Sequence, residues 1–150
     1  LNKIFIKDIL EYVKNDFEDE LNDKNINLEI SSTCSQREIT VDLVKLKRVF
    51  GNIINNSVTH FNGRDGLIKI NVLSRANMIR FEIADNGGGV KTETDLKRIF
   101  EPLYTTDQSR KISGLGLSIC KQIISSFDGR IYAKNNEIGG LSIIFLIPKS

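Results

Sequence analysis

The chain has 150 residues, 40% hydrophobic and 27% charged, with a net charge of +2. That length and balance suit a soluble globular protein folding as one domain over 1–150, and the charge excess is too small to announce a nucleic-acid partner. Cys34 and Cys120 match no zinc or redox spacing and read as small buried thiols. No stretch reaches the length of a bilayer span and no signal-peptide pattern opens the chain, so no membrane contact is expected. Starting at Leu1 without a methionine, it reads as excised from a longer protein.

Taken in order, an apolar run at 4–6 precedes a helical pattern of Ile9, Leu10, Val13, Phe17 and Leu21. Residues 26–30 alternate like a strand and run into a polar loop at 31–37. Asp42 reads as the N-cap of a second helix reaching about Phe61, buried along Leu43, Leu46, Phe50, Ile53, Ile54, Ser57 and Phe61. Asn52 and Asn56, four apart, share a stripe at the edge of that apolar face. Asn-Gly at 62–63 and Asp-Gly at 65–66 mark a turn.

Alternation at 68–72 and again at 79–83 predicts an antiparallel hairpin with one buried face. Asp85 falls in phase with Ile79, Phe81 and Ile83, so its carboxylate is expected on the core side. A carboxylate there is costly without partners. A short helix at 95–100, ended by Pro102, leads into a polar stretch at 105–111. A third long helix opens at 114–116 and is expected to stop at Gly129. Two more strands follow at 130–133 and 141–147; the second is apolar on both faces and should be central.

The chemistry-bearing stretch is 85–117. It starts with Asp-Asn-Gly-Gly-Gly at the end of a strand and closes on Ser-Gly-Leu-Gly-Leu at the start of a helix. Backbone N–H groups at a glycine-rich helix start form an anion site. The P-loop pattern is absent, and neither glycine cluster has dinucleotide-fold spacing.

In combination the segments resemble the catalytic, ATP-binding domain of sensor histidine kinases, within the wider gyrase, chaperone and mismatch-repair (GHKL) ATPase superfamily. Residues 52–61 (Asn-Ile-Ile-Asn-Asn-Ser-Val-Thr-His-Phe) look like the N box and 85–89 like the G1 box. Phe-Glu-Pro-Leu-Tyr at 100–104 looks like the F box, and 113–117 like the G2 box. The resemblance implies an α+β, two-layer sandwich (Bergerat fold): a mixed, mostly antiparallel sheet of about five strands on about three helices, with an ATP lid. It implies ATP and Mg²⁺ as ligands. Asp85 would accept from the adenine amino group, and Gly87 and Gly89 would admit the base. Asn56 would ligate Mg²⁺, with Asn52 assisting at the phosphates. Ser113, Gly114, Leu115, Gly116 and Leu117 would present backbone to the phosphates, with Arg110 and Lys111 adding charge from the lid.

The hydrolysing and serine-directed branches carry a glutamate general base where this chain has Asn52, and an amide cannot take a proton near neutral pH. Transfer to a histidine is therefore the reading the resemblance favours. In the family that histidine lies on a separate helical dimerisation domain, so His60 reads as a packing or pocket-edge residue. Implied partners are that domain of the same parent and a downstream response regulator. The implied location is cytoplasmic, with a parent either membrane-anchored or soluble. The alternatives are a hydrolysing ATPase and a degenerate binding module. Three positions depart from the family pattern: Thr59 stands where Lys or Arg is usual, Ile112 where glycine is frequent, and Asp107 where one subgroup has Lys.

Overall fold

The computed structural model describes residues 1–61, 65–88, 93–102 and 114–150, with backbone only at residues 60, 93, 94, 114 and 115. The region expected to form the ATP lid lies largely outside the described residues. Five strands form the main sheet: β2 (Ile26–Ser32), β4 (Gly66–Arg75), β5 (Met78–Asp85), β6 (Arg130–Asn135) and β7 (Leu141–Pro148). Their order is β2-β4-β5-β7-β6. Only the β2–β4 pair is parallel, so the sheet is mixed and mostly antiparallel, as expected. The helices are α1 (Ile6–Asp23), α2 (Leu43–His60), the short α3 (Glu93–Arg98) and α4 (Gly114–Ser126). Together they make an α+β two-layer sandwich.

Strand alternation decides which side chains meet the helices. On β5, Ile79, Phe81, Ile83 and Asp85 face inward and all are nearly or fully buried. Ile83 pairs with Ile70 on β4 and with Ile143 on β7, which sets the register on both sides. Phe81 stacks on its cross-strand partner Phe145 at 4.7 Å, and Phe50 of α2 meets both rings edge-on at 6.0 and 5.6 Å. Each such ring pair adds about 0.5–1.5 kcal/mol beyond the area it buries. This trio pins α2, and with it the Asn52/Asn56 edge, over the centre of the sheet.

Three local features differ from the expectations. Residues 2–5 and 38–41 form a separate antiparallel ribbon, β1 (Asn2–Phe5) with β3 (Glu38–Val41), which the periodicity did not show. The loop before β3 caps α1: Ile6 and Lys7 donate their N–H groups to the carbonyls of Arg37 and Ser35. Finally, α4 ends at Ser126 and the left-handed residue beyond it is Asp128 (φ 59°), not Gly129. Glycine is needed at 129 for closeness instead, because a Cβ would lie 2.3 Å from the carbonyl oxygen of Leu146. The N-cap at Asp42 forms as expected, accepting from the Lys45 N–H at 3.3 Å.

The outer face of the sheet carries one partly buried ion pair. Arg80 donates to Glu82 at 3.0 Å, with 9% and 21% of the two side chains exposed. Burial works to raise the Glu82 carboxyl. Hydrogen bonds from Ser142 and Arg80 and the charges of Arg80 and Lys134 outweigh it, leaving the group below its ordinary 4.5. Replacing Glu82 by Gln is expected to cost about 1–2 kcal/mol near neutral pH, since Arg80 stays buried without its counter-charge while solvent screens part of the pair. The lowered carboxyl contributes stability that is complete above pH 4.5 and lost as pH falls through its folded value. Urea unfolding across pH should therefore show the gap between wild type and variant closing on the acid side.

Candidate functional site

At the end of β5 the register delivers what a buried acid requires. Asp85 is 1% exposed. The Ser57 hydroxyl of α2 donates to Oδ2 at 2.7 Å. The backbone N–H groups of Gly87 and Leu141 donate to Oδ1 at 3.0 and 3.2 Å. A carboxylate offers about four lone-pair positions. Three are taken by described donors, and the remaining one is on Oδ2. The same residue's backbone carbonyl accepts from the Asn136 side chain at 3.0 Å.

Glycines around this acid serve close approach. A Cβ at Gly140 would lie 2.0 Å from the Asp85 carbonyl oxygen and 2.5 Å from Oδ1. Gly88 sits at φ 87° and donates to the carbonyl of Gly139, itself at φ 88°. Asn86 turns its side chain back to accept from the Leu67 N–H at 2.9 Å, tying the chain beyond β5 to the start of β4.

The second wall is made where α2 meets α4. Asn52 donates to the Gly116 carbonyl at 3.3 Å, and the Cys120 thiol donates to the Val49 carbonyl at 3.6 Å. Cys120 is buried, and burial pushes its thiol up to about 12, so it stays protonated and inert near neutral pH. Asn56 is only 9% exposed, yet its side-chain amide makes no hydrogen bond to any described residue. Asn52 is half-buried and Asn56 buried, in keeping with a stripe at the edge of the apolar face. Thr59, where a basic residue was expected, spends its hydroxyl on the Asn56 backbone carbonyl at 2.8 Å.

The first turn of α4 carries no acidic residue, so nothing on the helix itself offsets the positive end of its dipole. A Cβ at Gly116 would meet Asn52 at 3.5 Å, an ordinary contact, so packing does not demand glycine there. Leu117 turns its side chain into the core, leaving only its backbone for a ligand. Gly114 and Leu115 belong to the same first turn by their backbone. Gly89, Arg110, Lys111 and Ser113 lie outside the described residues, as do Asp107, Ile112 and the His60 side chain. Of the F-box residues, Phe100 is buried in the core beside Ile99.

Among the described residues no cluster of three His, Cys, Asp or Glu side chains could hold a metal. Mg²⁺ takes one or two protein oxygens and completes its shell from phosphate and water. The Asn56 side-chain oxygen, without a partner among the described residues, is the type of donor such an ion accepts. A cavity of about 710 Å³ between Arg80, Lys121, Arg130 and Tyr132 lies at the other end of β5, away from Asp85.

Sequence reasoning placed Ser57 only in a buried stripe and Gly140 only in a turn, and gave no site role to Asn136. A hydroxyl within an otherwise apolar stripe gives no hint of a partner 28 positions away.

The chain belongs to the histidine kinase-, DNA gyrase B-, and HSP90-like ATPase family, whose model matches residues 41–150. Within it, the relatives place this chain among the catalytic ATP-binding domains of histidine kinases. It is 32% identical over 146 residues to the signal transduction histidine-protein kinase BaeS of Escherichia coli (strain K12), covering 93% of this chain and 30% of that protein. The nucleotide-free catalytic domain of histidine kinase ThkA superposes with a TM-score of 0.86 at 28% identity, covering 99% of this chain and 95% of that one. ThkA in complex with the response regulator protein TrrA matches with a TM-score of 0.82 at 27% identity, covering 99% of this chain and 42% of that one. The chain spans 30% of BaeS and 14% of the sensor protein KdpD of Clostridium acetobutylicum, well under half of either relative. No helix among the described residues is long and apolar enough to cross a membrane.

Two substitutions test the packing around the acid. Gly140→Ala is expected to destabilise by about 1–3 kcal/mol, because a backbone carbonyl must move to admit the methyl group. Ser57→Ala should cost about 1–3 kcal/mol by leaving a buried carboxylate one donor short. Chemical denaturation of the two variants checks both values.

Proposed function

We propose that this chain binds Mg²⁺·ATP between the end of β5 and the first turn of α4, and offers the γ-phosphoryl group to a histidine on a separate dimerisation domain of its parent. The observation that carries the reading is the buried Asp85 carboxylate, with three donors among the described residues and one acceptor position that none of them fills. That position on Oδ2 suits a single N–H donor such as the adenine amino group. Gly87 and Gly89 would let the base approach the backbone. The 150 residues would act as one catalytic and ATP-binding domain.

Phosphates would lie at the start of α4, over the backbone of Ser113, Gly114, Leu115, Gly116 and Leu117, where the helix dipole is unopposed by acidic side chains. Arg110 and Lys111 would add charge there. Asn56 would hold Mg²⁺ through its side-chain oxygen, which no described residue engages, and the ion when bound would supply charge neutralisation at the phosphate oxygens. Asn52 would keep α2 and α4 at the spacing the phosphates need, while assisting at their edge. Its amide is no general base, which favours a histidine acceptor over water. Support for a response regulator as downstream partner comes from the ThkA–TrrA complex. The domain would work on the cytoplasmic side, whether its parent is membrane-anchored or soluble.

Mg²⁺·ADP at about one hundred times its dissociation constant should raise stability by about 2.7 kcal/mol. Asp85→Asn should abolish that shift, because an amide offers one oxygen where the carboxylate offered two. Absence of a shift in the wild type would overturn the reading. Supplying the dimerisation domain in trans should yield acid-labile phosphohistidine, whereas steady phosphate release by the chain alone would point to hydrolysis instead. Gly116→Ala separates fold from ligand: it should leave stability unchanged or raise it by about 0.5 kcal/mol, yet weaken nucleotide binding measurably.

A further inference from the structure

Asn136, in the turn between β6 and β7, belongs to none of the four motifs, yet its side chain makes four hydrogen bonds. Oδ1 accepts from the N–H groups of Ile138 at 3.1 Å and Gly140 at 2.9 Å. Nδ2 donates to the Asp85 carbonyl at 3.0 Å and to Ser142 Oγ at 3.2 Å. Its backbone N–H closes the turn on the Gly140 carbonyl at 2.9 Å. One half of the amide therefore shapes the turn, and the other half fastens it to the end of β5.

Two further bonds join the same segments. The Gly88 N–H reaches the Gly139 carbonyl at 2.9 Å, and the Leu141 N–H reaches Asp85 Oδ1 at 3.2 Å. Orientation of the Asp85 carboxylate thus depends on where the turn 136–140 puts Leu141. It would rotate about its own side-chain bonds if that donor moved, and the free lone pair on Oδ2 would move with it.

We propose that Asn136 is a positioning residue for purine selection: by clamping the turn 136–140 onto the end of β5, it sets the direction of the open acceptor on Asp85 Oδ2. This rests on the reading of Asp85 as the acceptor for the adenine amino group. A 6-amino purine donates to that position, whereas a 6-oxo purine presents a lone pair to a carboxylate and is repelled. Such discrimination is directional, so it weakens when the carboxylate is free to turn. A residue that only stabilised the fold would lower the Tm without changing the preference.

The test is calorimetric measurement of Mg²⁺·ATP and Mg²⁺·GTP dissociation constants for wild type, Asn136→Ala, Asn136→Asp and Asp85→Asn, with the Tm of each. Asn136→Ala removes both functions. Asn136→Asp keeps an acceptor for Ile138 and Gly140 but replaces the donor to the Asp85 carbonyl. Both Asn136 variants are expected to bind ATP about tenfold more weakly, the loss of about one net hydrogen bond, with a smaller change for GTP. The ATP-to-GTP preference therefore falls. A lower Tm with an unchanged preference would overturn the proposal, as would Asn136→Asp keeping the wild-type preference. Loss of ATP binding in Asp85→Asn beside an unaffected Asn136→Ala would overturn the proposal alone. A wild type that binds neither nucleotide would overturn the Asp85 reading and the proposal with it.

Discussion

A carboxylate sealed inside a protein must be given donors for nearly every lone pair, and the fold around Asp85 is arranged to supply them. The desolvation of an unpaired charge would cost more than most domains have in total stability. Three elements meet this need together. Helix α2 contributes a hydroxyl, the chain beyond β5 an amide, and the start of β7 another. None of them can shift without leaving the acid short of a donor. The arrangement therefore couples the folded core to the orientation of this carboxylate.

The opposite wall uses a different principle. There α2 and α4 are held together by Asn52, whose amide is committed to the carbonyl of Gly116, while Asn56 one turn on is buried with no side-chain partner among the described residues. Among the described residues one asparagine bridges two helices and the other has no side-chain partner, although the two look alike in the sequence. The glycines divide in the same way. Gly129 and Gly140 are required because neighbouring backbone occupies the space of a Cβ, whereas Gly116 has room for one.

Much of this was legible from periodicity. The β4–β5 hairpin, its register, the inward carboxylate, the Asp42 cap and the interior position of β7 all follow from alternation and local turn chemistry, which act over a few residues. The β1–β3 ribbon was not legible. Each strand has four residues, too few to show alternation, and their pairing joins segments about thirty-six residues apart. The cap of α1 is likewise supplied from the loop before β3 rather than by its own Phe5. At the end of α4, Gly129 was read as the stop, but the left-handed turn that ends the helix falls on Asp128.

By itself the sequence determined the class of fold and the family, because hydrophobic period and the order of the four motifs are one-dimensional properties. It also determined that Asp85 points inward, since a strand's two-residue repeat leaves no other phase. Which donors meet that acid was decided only by tertiary structure. Ser57, Asn136, Gly140 and Leu141 lie 28 to 56 positions away from it, and only the stacking of α2 on the sheet and the pairing of β5 with β7 bring them close. Hydrogen bonds act over about three ångströms. No pattern along the chain can specify contacts of that range until the backbone has closed around them.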